Sequence, residues 1–389
     1  MARTNWLLAG TVPQWMLYAL SVGAGGYTLV SSAAYVFVFF FPLAWAWSTN
    51  RWTAAWCALL YYAAASALVP SSIIDYAPFG YTHPAWGVVG WLLLSVCCAV
   101  PWLLLYRRDD QYLLLRLFAV ALLCLLPPFG FIQPAWPFLG IGIIAPATGL
   151  LGLIAGIWFL SHAARRPLLL LLPFAVVAWN PPTAIAKLKA LSPQWVAHGT
   201  TVPMATTTLD FAKSYLALLD FRDHALGHPE TTFVLPESIA GLDLVATGHA
   251  LTGLDTQVIF AGGLNPESDG ALRAVFFEYS PPFPTGRIVY TQRVPVPLLA
   301  GESIRPLTNA VVPHGSDRLG FLLCYEGFTG WAPFSSAVAG ATVFVVGANL
   351  AFSRYDGALH RAYLSHLEAW GRLFGVPLVV AVNRRPPDV

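Results

Sequence analysis

Hydrophobic residues run almost without interruption through the first half of the chain and break into short groups in the second. A helix needs roughly 20 apolar residues to cross a bilayer. Stretches of about that length, or somewhat shorter, occupy 7–29, 31–48, 53–73, 86–106, 112–132, 138–160 and 167–181 and predict about seven spans. From Ser192 onward the period changes. Runs at Thr232–Leu235, Gln257–Ala261, Ala274–Glu278, Ile288–Tyr290, Leu319–Cys324, Thr342–Val346 and Pro377–Val382 read as strands, and helical spacing marks 205–226 (Leu209, Ala212, Leu216, Leu219) and 356–374. Strands alternating with helices predict a layered α/β domain with a buried sheet. The pattern therefore divides the chain into a membrane helical bundle, 1–190, and a water-soluble domain, 191–389.

Charge sharpens that division. At 57% hydrophobic and 10% charged, the 389-residue chain is too apolar for an ordinary soluble protein. Nine Lys/Arg and three acids lie in the first 190 residues, leaving 12 basic and 16 acidic residues for a second half able to fold in water. That half is mildly acidic and lacks a basic cluster, which excludes nucleic acid as a partner. In the first half Arg3, Arg51, Arg107-Arg108 and Arg165-Arg166 fall in alternate connections, and the loops between carry no Lys or Arg. Positive charge is retained on the cytoplasmic side. This places the N-terminus in the cytoplasm and, after seven spans, the soluble domain outside, with only Lys187 and Lys189 dissenting. No small-residue cleavage site follows the first apolar segment, so that helix is expected to stay as an anchor. Arg116 alone lies inside a span, near an end where it can snorkel, and a transporter would need more intramembrane charge.

Candidate chemistry gathers where strands stop. Cys57, Cys97, Cys98 and Cys124 lie in apolar runs and read as packing residues, whereas Cys324 is the only cysteine of the soluble half and has no disulfide partner there. Phe233-Val234-Leu235-Pro236-Glu237-Ser238 ends a strand on a carboxylate. Leu322-Leu323-Cys324-Tyr325-Glu326-Gly327 ends one on a thiol, and Gly347-Ala348-Asn349 ends a third. A thiol attacks a carbonyl as its thiolate and needs a base to form it, so Glu237 and Cys324 are candidate partners. Each also has a plainer reading, a solvated strand-end carboxylate and a buried core cysteine. Neither a phosphate loop nor zinc-type spacing is present, and no cofactor or metal is expected.

The order Leu-Pro-Glu-Ser, Tyr-x-x-x-x-x-Val-Pro, Leu-Cys-Tyr-Glu-Gly, Gly-Ala-Asn, a helix with His360, and Ala381-Val382-Asn383-Arg384 resembles the nitrilase (carbon–nitrogen hydrolase) superfamily. The membrane-first layout is similar to the apolipoprotein N-acyltransferase branch and, by length, to plasmid conjugal-transfer members of that branch. The resemblance covers about 195–385 at motif level. It implies an α-β-β-α sandwich on the outer, periplasmic face of a bacterial inner membrane, with Glu237 as base, Cys324 as nucleophile, Glu326 as accessory carboxylate and Glu302 as a further family glutamate reached with two extra residues. It also implies thiol-dependent acyl transfer or amide hydrolysis, a phospholipid or lipoprotein acyl donor and acceptor, and membrane assembly partners in conjugation. The family's oxyanion-stabilising lysine falls on Gln292, with Arg293 beside it. The family domain and its final membrane helix extend further than Val389, where this sequence stops. The alternative implied by the missing lysine is a nitrilase-like scaffold in a conjugation or envelope assembly.

Overall fold

The computed structural model describes residues 12–76, 83–108, 111–179, 194–202, 208–229, 231–240, 244–266, 272–296, 304 and 310–385. Glu302, Lys187, Lys189 and the 190/191 boundary lie outside them.

The first half is helical, but its apolar stretches do not become seven long helices. It comprises α1 (Gln14–Tyr27), a 3₁₀ segment Ser32–Phe39 running into α2 (Phe40–Trp47), α3 (Arg51–Ala65), α4 (Val69–Asp75), α5 (Pro84–Leu105), α6 (Leu113–Leu125), α7 (Ile141–Ile144), α8 (Gly149–Ala163) and α9 (Leu171–Trp179). Among the described residues only α5 is long and apolar enough to cross a membrane, and α3 with α4 forms a second candidate, bent by 47°. The expectation of about seven spans is therefore corrected to one or two candidates. The reason is backbone chemistry that hydropathy does not register: proline removes an N–H and clashes with the preceding turn. Pro70 opens α4, Pro127-Pro128 follow α6, and Pro146 separates α7 from α8.

The second half is a pair of facing sheets. One holds β1 (Trp195–Ala197), β2 (Thr232–Leu235), β3 (Val258–Pro266), β4 (Leu272–Ser280) and β5 (Phe283–Thr291) in that order. Its first three strands are parallel and its last three antiparallel. The other holds β6 (Val312–His314), β7 (Asp317–Leu323), β8 (Val343–Asn349) and β9 (Leu378–Asn383), parallel from β7 onward. Parallel neighbours require crossovers. Leu244–Ala250 (α11) connects β2 to β3, while Trp331–Val338 (α12) and Asp356–Phe374 (α13) connect β7, β8 and β9.

Between the sheets Val234, Phe260, Phe276 and Tyr290 meet Phe321, Leu323, Val345 and Ala381. The outer face of the first sheet is covered by Leu218, Phe221 and Ala225 of α10 (Thr208–Leu226). The outer face of the second lies under α13, giving the α-β-β-α order. Every strand and both helices expected from the sequence are present, and the short elements β1, β6, α11 and α12 were not expected.

Helix α13 has a second neighbour, the bundle. Tyr363, Leu367, Trp370 and Leu373 share one buried core with Trp136, Phe138, Leu139 and Ile143. The Trp136 and Trp370 rings stack in parallel with centroids 5.5 Å apart. Gly142 approaches so closely that a Cβ there would lie 2.7 Å from the Leu373 nitrogen. Polar contacts add register: Ser32 Oγ donates to Glu368 (2.5 Å), Tyr35 Oη pairs with His366 Nδ1 (3.1 Å), and Arg354 grips Asp75 (2.6 Å).

Candidate active site

The carboxyl ends of β2, β7, β8 and β9 converge, which is where open α/β sheets place their sites. β7 ends at Leu323, and Cys324 takes φ +44°, a left-handed conformation that non-glycine residues adopt only when their surroundings enforce it. Strain of this kind accompanies functional turns, and here it swings the half-buried thiol out of the strand direction. Ser238, directly after Glu237, has φ +66°. Both candidate catalytic residues thus sit at or beside a strained strand end.

The structure brings Glu237 and Cys324 together. The Cys324 thiol lies within electrostatic reach of the Glu237 side chain and of the backbone of Asn349 and Tyr325. The Asn349 N–H also reaches Glu237 Oε2 at 3.3 Å. Asn383, in register with Asn349 on the neighbouring strand, donates Nδ2 to the Glu237 carbonyl at 2.8 Å and accepts from Thr200 Oγ1. Close packing of the turn after β2 against the neighbouring strand β3 is allowed by Gly262, where a Cβ would lie 2.7 Å from Glu237 Cα. Burial, and then the Glu237 charge, push the Cys324 thiol well above its ordinary pKa. The resting nucleophile is therefore a thiol.

Glu326 belongs to the same turn, with a different part to play. Its buried carboxylate accepts from Tyr290 Oη (2.7 and 2.8 Å), the N–H of Arg293 (2.7 Å), the N–H of Val294 (3.1 Å) and the N–H of Leu323 (2.9 Å). Burial raises its pKa against the pull of Arg293. A carboxylate so fully occupied clamps the end of β5 to the Cys324 turn. Arg293 is fully buried behind it, committed to Tyr290 Oη, Ser335 Oγ, Ser336 Oγ and the Ala332 carbonyl. Gln292, where the resemblance expects lysine, is buried and donates Nε2 to the Leu323 carbonyl at 3.1 Å, one residue from the nucleophile. Sequence reasoning used Tyr290 only as a motif landmark, without a role in the site, and missed Tyr363. The Tyr363 hydroxyl lies against Gly327 of the turn and within electrostatic reach of Cys324, Glu237 and Glu326. Its signal is a buried tyrosine on the face of α13 turned toward the sheet, which no linear spacing reveals.

Cys324 also lies on the wall of a cavity of about 250 Å³ between the two halves. Leu29, Leu68, Val69, Ile73 and Leu94 come from the bundle, and Val296, Phe328, Leu350, Phe352 and Leu359 from the sandwich. Its lining is largely hydrocarbon, interrupted by Thr28, Tyr35, Ser66 and Ser72. Among the described residues no cluster of His, Cys, Asp or Glu is arranged to hold a metal.

Fold and site together define an α-β-β-α sandwich, with a Glu–Cys pair at its strand ends, packed on a helical bundle. Over nearly its whole length the chain is similar to conjugal transfer proteins named TraB. With that of Agrobacterium fabrum it shares 25% identity over 98% of this chain and 94% of the relative, and with the probable TraB of Sinorhizobium fredii 26% over 93% and 95%. A carbon–nitrogen hydrolase of Helicobacter pylori G27 is a structural neighbour, at 14% identity and a TM-score of 0.39, covering 48% of this chain and 72% of that one. No family model matches the chain.

Proposed function

We propose that this chain is a membrane-anchored, thiol-dependent acyltransferase acting in plasmid conjugal transfer, with a lipid-like acyl donor. The cavity carries the reading: a nucleophile-candidate thiol lines an apolar chamber to which α4 and α5, the membrane-span candidates, contribute one wall. Pockets that take apolar ligands are lined in this way, with a few polar groups fixing orientation. The conjugal role rests on the similarity to the TraB relatives.

In the first step Glu237 takes the thiol proton as the sulfur attacks the donor carbonyl. The carbonyl electron pair moves onto oxygen, and its return breaks the bond to the leaving alcohol, which receives the proton from Glu237. An amine or water then attacks the thioester, gives its proton to Glu237, and releases Cys324. We further place the sandwich at the outer face of the inner membrane, because its Arg354 holds Asp75 at the start of a connection that carries no Lys or Arg, and positive connections are retained inside. Labelling a cysteine introduced at Thr252 with an impermeant reagent on intact cells tests this, since labelling at Tyr112→Cys in its place reverses the orientation.

The acyl-transfer test is intact-mass measurement of protein purified from its own membrane and then exposed to p-nitrophenyl esters of increasing chain length. A Cys324 adduct that is absent from Cys324→Ala and forms faster with longer chains is expected. No Cys324-dependent adduct with any ester favours the second reading, a nitrilase-like scaffold. The observation behind that alternative is Gln292, engaged with backbone where a lysine would bring charge.

A further inference from the structure

Acyl transfer through Cys324 creates an oxyanion. The loss of one donor to such an oxygen typically slows reaction by about 100- to 1000-fold. The Tyr325 backbone lies within electrostatic reach of the sulfur, and Gln292 already gives a donor to the Leu323 carbonyl. Arg293 is committed elsewhere. A side-chain donor is therefore wanted close to Cys324.

Asn349 meets that description. It is the last residue of β8 and shares the inter-sheet side of the strand with Val345 and Gly347. Its own N–H donates to Glu237 Oε2 at 3.3 Å, and its backbone lies within electrostatic reach of the Cys324 sulfur. Its side-chain oxygen accepts the Ala351 N–H at 3.2 Å, which fixes the orientation of the amide. The other end of that amide, Nδ2, is fully buried and has no hydrogen-bond partner, in a residue only 3% exposed. Buried amide donors are almost always paired. One left open beside a nucleophile is poised for an acceptor that exists only during reaction.

We infer that Asn349 is a catalytic residue whose Nδ2–H donates to the oxyanion formed when Cys324 attacks, supplying part of what the lysine missing at Gln292 would give. The inference rests on the acyl-transfer reading. The Cys324 sulfur–carbon bond forms, the carbonyl pair moves to the oxygen facing Nδ2, and the thiol proton passes to Glu237. Collapse restores the carbonyl, expels the alcohol with that proton, and frees Nδ2.

Two reactions of the same thiol separate this role from simple support of the site. Acylation by p-nitrophenyl octanoate passes through an oxyanion, whereas alkylation by iodoacetamide displaces iodide at a saturated carbon and forms none. In Asn349→Ala, acylation of Cys324 should fall by about 100-fold with alkylation unchanged, and adding Gln292→Lys should restore much of the acylation. Should Asn349→Ala fail to fold, Asn349→Ser takes its place, because its hydroxyl can serve the Ala351 N–H but is too short to extend where Nδ2 lies. Acylation that survives either change, or that falls in parallel with alkylation, overturns the inference alone. Absence of acylation in the unaltered protein, with Cys324 still alkylated, overturns the acyl-transfer reading and this inference with it.

Discussion

At the scale of single residues, the pairing of Glu237 with Cys324 makes opposite demands that can be measured apart. The carboxylate's charge opposes the thiolate, yet its oxygen is the base that removes the proton. Glu237→Gln removes both effects. Alkylation of Cys324 should then become faster at mildly alkaline pH, because the thiol titrates lower without a negative neighbour, while acylation falls by about 100-fold or more with the base gone. Parallel changes in the two rates would sink the assignment of Glu237 as base. The pair was legible in the sequence because polar residues that end apolar strands have few bland explanations once they occur in a known order. The role of Glu326 was not legible. Its donors come from Tyr290, Arg293 and Val294, on the far side of a chain reversal, and only the fold reveals that they saturate it.

At the scale of elements, two glycines set how closely backbone packs around the site, Gly262 against the turn that follows β2 in its own sheet and Gly347 across the gap between the sheets. A Cβ on Gly262 would meet Glu237 Cα at 2.7 Å and the Pro236 carbonyl at 2.8 Å, and one on Gly347 would meet the Phe276 ring at 2.7 Å. The atoms met at Gly262 are backbone and cannot rotate away. Gly262→Ala should therefore shift the 236–238 turn, cost about 1–3 kcal/mol of stability by overpacking, and slow acylation out of proportion to that loss. Denaturation midpoints and Cys324 acylation rates on one preparation check it, and an unchanged acylation rate would show that the turn tolerates the displacement. Short continuous apolar runs such as Phe321–Leu323 and Val343–Val346 made the strands readable, and helical spacing gave 356–374. Short elements such as β6 escape because three residues carry no period. The apolar first half was misread as long spans because hydropathy counts side chains, whereas Pro70, Pro127, Pro128 and Pro146 act on the backbone.

At the scale of the whole molecule, bundle and sandwich share a core that no local pattern could announce, since Trp136 and Trp370 are far apart in sequence. His366 reports on that seam. Buried between Tyr35, Trp370 and Thr329, it is held neutral, its pKa lowered from 6.5 to about 4 by burial. The unfolded chain therefore binds a proton that the folded one refuses between those values. Stability is full above pH 6.5 and declines as pH falls toward 4, by up to about 3 kcal/mol from this residue. Denaturation midpoints at the two ends of the window should differ less in His366→Gln than in the unaltered protein, and an equal difference would exclude His366 as the source.

On the proposed lipid-donor reading, the wall that α4 and α5 lend to the Cys324 cavity has a kinetic consequence. A donor arriving sideways from a hydrocarbon phase is counted per lipid molecule and not per litre. Diluting the protein and its membrane together in buffer would leave turnover per molecule untouched, whereas adding inert detergent at constant bulk donor concentration would depress it. Saturation would then be described by a mole fraction in the surface, and a Michaelis constant quoted in molar units would change with every preparation.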